Sequence, residues 1–127
     1  MNTTTNALNW FEIPVADMQR AKHFYQFIFS IHMDETEMAG MRMATFPGTD
    51  GNGKVYGALV QSDYQKPAME GTAVYLNANP DMSPVLEKVE MEGGKILMPK
   101  TEISPEIGFM AFITDREGNR VALHSQK

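Results

Sequence analysis

The sequence predicts an α+β fold in which two strand-helix-strand-strand-strand units form a curved mixed sheet around a cavity, and three observations carry this. Asn9-Trp-Phe-Glu-Ile-Pro-Val-Ala-Asp-Met18 returns as Ala73-Val-Tyr-Leu-Asn-Ala-Asn-Pro-Asp-Met82, 64 positions further on. Each copy alternates like a half-buried strand and then passes through Asp-Met into apolar residues at helical spacing. Three short strand-like segments follow each helix. At 127 residues and 43% hydrophobic content the chain fits a single domain with a sizeable core, made of repeats at about 7–63 and 71–126.

In chain order, Leu8 to Val15 alternates, with Phe11, Ile13 and Val15 on one face and Leu8, Trp10 and Glu12 on the other. Pro14 puts this strand at an edge or at its own end, because proline cannot donate to a ladder. Asp17 is a helix N-cap, and Met18, Ala21, Phe24, Tyr25 and Ile28 make the buried stripe that follows. Strands are expected at Ile31 to Met38, Met41 to Phe46 and Lys54 to Ser62. Their turns are Ala39-Gly40 and the longer Pro47 to Gly53 connection. Asp63 to Gly71 reads as the linker. The second unit has a strand at Thr72 to Asn77, then Asp81 as cap. Its helix stripe is Met82, Val85, Leu86 and Val89, stopped by Gly93-Gly94 in a left-handed cap. Lys95 to Met98, Gly108 to Thr114 and Asn119 to Ser125 are its strands, with Asp115 to Asn119 as a tight turn. Two such units predict two curved sheets with helices on their convex faces.

Composition excludes several classes of function. The chain has 16 acidic and 11 basic residues, net charge −5, and its basic residues are scattered, which argues against nucleic acid as a partner. There is no cysteine, so disulfides, thiolate metal sites and a cysteine nucleophile are out, in keeping with a reducing compartment. The start lacks the pattern of a signal peptide, and no apolar run approaches the roughly 20 residues of a membrane helix. A cytoplasmic protein with no membrane partner is expected.

Phe11-Glu-Ile-Pro-Val-x-Asp17, Arg20-Ala-x-x-Phe-Tyr25, Gly93-Gly-Lys95 and Asp115-x-x-Gly-Asn-Arg120 with Leu123-His-Ser125 resemble the vicinal oxygen chelate superfamily. That superfamily includes glyoxalase I, extradiol dioxygenases and bleomycin-resistance proteins; the nearest likeness is to small bacterial proteins related to lactoylglutathione lyase. The resemblance covers almost the whole chain and implies the paired-unit fold and a homodimer. It also implies a metal cup, in which His, Glu or Gln from four strands hold a divalent ion with open positions for substrate oxygens. Carried over, the first-strand positions fall on Trp10 and on Val74, or on Thr72 if the strand slips by two. The last-strand positions fall on Gln61 and Ala122. Trp, Val and Ala cannot ligate such an ion, so no cofactor is expected from this set.

Other donors remain. Strand parity puts Glu12 on the face of Trp10 and His124 on the face of Ala122, and Val60-Gln-Ser62 echoes Leu123-His-Ser125. Glu12, Gln61 and His124 are thus candidates for a rewired divalent-metal site, and Glu12 with His124 for an acid-base pair. The plainer alternative pairs Glu12 with Arg42 or Arg120 and makes His124 a strand-closing residue. Trp10 is either a stacking wall for a planar ligand or cavity-filling core. Met38, Met41 and Met43 read as core in preference to a ligand lining, and Arg42 as an anion anchor or a solvated strand residue. The leading expectation is a metal-independent binder of a small apolar or aromatic compound, with Trp10, Gln61, Val74, Ala122 and Arg42 as ligand-binding residues. The alternative is a lyase-like or dioxygenase-like enzyme; a weaker third is a metal-free dimeric α/β-barrel oxygenase, which would show fewer strands after each helix.

Overall fold

Two series of elements, each strand-helix-strand-strand-strand, make up the chain. The computed structural model describes residues 1–48 and 54–127, apart from the Met38 side chain. The first series is β1 (Trp10–Pro14), α1 (Met18–Phe29), β2 (Asp34–Met38), β3 (Met41–Thr45) and β4 (Tyr56–Gln61). The second is β5 (Tyr75–Asn77), α2 (Ser83–Val89), β6 (Lys95–Ser104), β7 (Gly108–Thr114) and β8 (Arg120–Ser125). Each series closes its own four-stranded mixed sheet, ordered β1-β4-β3-β2 and β5-β8-β7-β6. In both sheets the first strand lies parallel to the last and forms one edge. β1 ends at Pro14, as its missing N–H requires. The expected Pro47 to Gly53 connection falls, from 49 on, outside the described residues, as does the expected place of the Met38 side chain in the methionine cluster.

Asp17 starts α1 as expected: its backbone is extended and its carboxylate accepts the Arg20 amide at 3.1 Å. The buried residues of α1 are the predicted five, Met18, Ala21, Phe24, Tyr25 and Ile28. In α2, Val85 and Val89 are buried beside Met82, and Leu86 packs against the same core from a half-buried position. Asp81, the expected cap, sits one residue ahead of the N-cap position, which Met82 occupies, and accepts the Ser83 amide at 2.8 Å. The short helical turn Glu90–Glu92 then ends on Gly93 at φ 87°, the left-handed conformation glycine adopts without penalty.

β6 differs from expectation, running from Lys95 to Ser104 and not stopping at Met98. It is an edge strand with register shifts against β7 between Ile96 and Met98, Met98 and Thr101, and Glu102 and Ser104; its exposure alternates from Lys95 to Thr101 and then stays high to Ile103. A proline and a polar run are tolerated there because half of the ladder faces no partner.

One core joins the two halves. Ile13, Val15, Ala44 and Leu59 of the first sheet meet the stripes of both helices and Leu76, Ala111, Ile113 and Leu123 of the second. The opposite face of the first sheet carries a smaller cluster of Met43, Ala58 and Val60 with Met41. Burial of this kind supplies most of the driving force for folding.

Candidate functional site

Register decides which side chains share a face. In the first sheet Glu12 pairs with Ala58 and Pro14 with Val60, so Trp10, Glu12 and Pro14 lie on the face away from the core shared with α1. In the second sheet Tyr75 pairs with Ala122 and Asn77 with His124, while Leu76 and Leu123 face the core. Ala58 and Ala122 stand 64 positions apart, but their partners Glu12 and Tyr75 stand only 63 apart. The path from β5 to α2 is therefore one residue longer than that from β1 to α1. A one-residue slip turns every side chain of a strand over. The structural counterpart of Glu12 is Tyr75, and that of Trp10 is Ala73, not Val74.

The two edge strands border a cavity of about 980 Å³. Its wall is largely apolar and aromatic: Trp10, Phe11, Phe46, Tyr56 and Tyr75 line it, with Phe29 and Ile31 at the end of α1 and Thr72 to Asn77 opposite. Trp10 and Tyr56 meet edge to face with centroids 5.4 Å apart, and Phe11 and Phe46 tilt together at 5.6 Å. Trp10 is 38% exposed, so a ligand can reach its ring. The Trp10 Nε1–H donates to Glu12 at 3.2 Å, and Gln65 Nε2 donates to the other Glu12 oxygen at 2.7 Å. Glu12 is thus held by two neutral donors, not by the expected Arg42 or Arg120.

Of the expected ligand residues, Trp10, Glu12 and Val74 border the cavity, Val74 while packing against the main core. Gln61, Ala122, His124 and Arg42 do not line it. Gln61 turns toward α1, where its Oε1 accepts the Met18 amide at 2.9 Å. Ser125, 64 positions on, accepts the Met82 amide at 3.1 Å in the same way. The symmetry mate of Gln61 is therefore Ser125, and the expected match with His124 is one position off. Ala122 is buried under the sheet pairings, and His124 has its Nε2 at 2.7 Å from the Ile107 carbonyl. Arg42 pairs with Glu35 at 3.2 Å on the α1 side. Glu12, Gln61 and His124 accordingly do not converge. Among the described residues no three of His, Cys, Asp and Glu come together to hold an ion. The residues present offer no fit for the four-strand metal cup. Tyr75, Tyr56 and Phe46 enter the site without a sequence signal that strand parity alone could provide.

Residues 7–123 match the model of the Glyoxalase/Bleomycin resistance protein/Dioxygenase superfamily. The chain belongs to this superfamily. It is 32% identical over 122 residues to CFP32, named as a candidate glyoxylase, of Mycobacterium bovis and of Mycobacterium tuberculosis. That match takes in 91% of this chain but 44% of theirs, so the chain spans less than half the length of these relatives. Among solved structures, a glyoxalase/bleomycin resistance protein from Albidiferax ferrireducens superposes with TM-score 0.69 at 13% identity, over 96% of this chain and 100% of that one. The antibiotic-binding protein TnmS3 of a Streptomyces species gives 0.63 at 18% identity, over 99% and 100%. Glyoxalase I from Zea mays gives 0.65 at 19%, over 94% of this chain and 46% of that one. These likenesses establish the shared fold.

In this superfamily member the Asp115 to Asn119 turn also clasps the two halves together. The buried Asp115 carboxylate accepts from Tyr25 Oη at 2.7 Å, from the Asn119 amide and side chain at 2.9 Å each, and from the Glu117 amide at 2.9 Å. Asn119 Nδ2 also donates to the Pro14 carbonyl at 2.7 Å. Glu117 accepts the Ala16 and Asp17 amides at 2.8 Å each and pairs with Arg20. Burial pushes the Asp115 carboxyl up, against the hydrogen bonds from Asn119 and Tyr25. Burial pushes Glu117 up as well, but the bonds from Arg20, Asp17 and Ala16 outweigh it and leave Glu117 below the usual carboxylate range. The same clasp orients Asn119 and Arg120 at the cavity wall.

Proposed function

We propose that the protein binds a small apolar or aromatic compound in the cavity between β1 and β5, without a metal ion. The carrying observation is the wall itself: a space of about 980 Å³, of the size typical for small-molecule sites, roughly 300–1,000 Å³, faced by six aromatic side chains. Trp10, at a position where metal-using relatives place a ligand, supplies a ring tied down through its Nε1–H to Glu12. An antibiotic-binding neighbour of the same fold lends the reading support.

Titration calorimetry with 2-naphthamide, followed in parallel by the fluorescence of the single tryptophan, tests this. Saturable binding with a change in Trp10 emission is expected, and Trp10→Ala weakens it about tenfold. No saturation at millimolar probe, or an unaltered affinity in the variant, would sink the reading. Lyase-like or dioxygenase-like turnover is the other reading, and the relatives named as glyoxylases favour it; since His124 does not line the cavity, Glu12 is its acid-base candidate there. The two separate on Glu12→Gln: a binder keeps most of its naphthamide affinity, whereas an enzyme using Glu12 as its base loses turnover by about 10²-fold.

We propose also that two copies associate. Leu97 and Ile103 on the edge strand β6, with Ile107 beside it, are 45%, 41% and 51% exposed, apolar surface that a second chain would cover. Sedimentation equilibrium should give twice the 14.2 kDa chain mass; a single 14.2 kDa species excludes the dimer.

A further inference from the structure

We infer that the ligand carries an anionic group, a carboxylate or an oxyanion of similar size, and that Arg120 receives it; this rests on the binding role proposed for the cavity. Among the described residues, four charged ones border that space: Glu12, Lys66, Glu70 and Arg120. Glu12 has an N–H donor on each oxygen, from Trp10 and Gln65. Arg120 is not provided for in this way. No carboxylate among the described residues lies within 4.0 Å of its guanidinium, although six ion pairs form elsewhere among them.

Of the five N–H donors of this guanidinium, one on Nη2 meets an acceptor among the described residues, the Gly71 carbonyl at 3.2 Å. The Nε–H is buried and finds no acceptor among them. Native proteins keep few such orphaned donors, because water has been stripped from them without replacement. The group is also held in place. Its carbon lies over the Phe112 ring at 5.6 Å, the Arg120 amide donates to the Ala68 carbonyl at 3.2 Å, and Asn119 Oδ1 accepts the Ala68 amide at 3.0 Å. A cation that is fixed, partly desolvated and short of acceptors is an anion receptor, and its planar fork suits a carboxylate.

The cavity is therefore polarised. On the β1 side stand Trp10, Tyr56 and a Glu12 with a neutral donor on each oxygen; on the β8 side stands a guanidinium with no carboxylate partner among the described residues. An aromatic acid would lie with its ring toward Trp10 and its carboxylate toward Arg120, away from Glu12. Neutral isosteres lack the charge, and amines would meet the cation.

A matched pair of probes tests this. With the wild-type protein, calorimetry is expected to show 2-naphthoate binding about tenfold or more tightly than 2-naphthamide. Added salt should weaken the naphthoate alone. In Arg120→Gln the preference disappears because naphthoate loses about tenfold more affinity than naphthamide does, and Arg120→Lys restores part of the preference. Equal affinities in the wild type, or a preference that survives Arg120→Gln, overturn the inference while leaving the binding role standing. Failure of both probes to bind removes the binding role and the inference with it. Should Arg120→Gln not fold, the wild-type ratio of the two probes and its response to salt decide between these outcomes.

Discussion

Asp115→Ala is expected to lower the free energy of unfolding by about 3–5 kcal/mol in urea denaturation. The carboxylate accepts four hydrogen bonds, from Tyr25, the Glu117 amide and two groups of Asn119, and the donors of buried Tyr25 and Asn119 are left without an acceptor, with the half-buried Glu117 amide beside them. Three of them belong to the turn that binds Pro14 and the start of α1, so the loss spreads across the junction of the two halves. Asp115→Asn keeps the shape and some of the acceptors, and should cost about half as much. The pH dependence carries a sign. Burial raises the Asp115 pKa in the folded protein, so the folded state binds that proton more readily than the unfolded chain, and this contribution grows as pH falls. Glu117 is depressed, and Asp81 is lowered to about 2 by the Ser83 amide and Lys100; their contributions are lost as pH falls through the carboxylate range. Removing Asp115 takes away the opposing contribution, so the variant should lose stability in acid more steeply than the wild type. An equilibrium change below about 1 kcal/mol for Asp115→Ala would show that the clasp is dispensable.

Gly57→Ala is expected to destabilise by about 3 kcal/mol or more and to weaken naphthamide binding about tenfold. Gly57 is paired with Phe11 across the parallel β1–β4 ladder, and a Cβ there would stand 2.1 Å from the Phe11 carbonyl oxygen and 2.7 Å from its ring. The carbonyl is backbone and cannot rotate away, so β1 must shift as a whole, and Phe11 and Trp10 on that strand wall the cavity. Gly40→Ala is the control. It has φ +78° but open space around the new methyl group, and should cost only about 1 kcal/mol. Thermal melting of both variants, with calorimetry on Gly57→Ala, checks this; matching melting temperatures for the two would refute the steric argument.

What is legible in the sequence is what short-range physics decides. Asp17 capping α1, the five-residue stripe beneath it, Gly93 ending the second helical segment and the order of strands all follow from periodicity and capping within a few residues. The superfamily and its fold are visible for the same reason, because the repeated Asp-Met units and turn glycines are local patterns. β6 reads as a strand ending at Met98 because Pro99 and the polar Lys100-Thr-Glu102 break the apolar pattern, although exposure in the folded strand alternates through Thr101.

The site is legible only in part. Trp10 and Glu12 stand at the cavity because β1 is an edge strand, all of whose residues from Trp10 to Pro14 border that space. Val74 follows from a gapless 64-residue repeat, and the match of Gln61 with His124 from the echo of Val60-Gln-Ser62 in Leu123-His-Ser125 at 63 positions, whereas the folded chain uses 63 between its first strands and 64 between its last. A single residue taken up between β5 and α2 brings Tyr75 to the face of Ala122 and turns Leu76 inward, and it leaves Gln61 and Ser125 as matching helix caps. The sequence by itself determined the elements, the repeat and the class of fold. Only the tertiary structure decided which faces meet across the cavity and that Arg120 lacks a carboxylate partner among the described residues, because both depend on register and on contacts between residues roughly 50 to 110 positions apart, which no local pattern encodes.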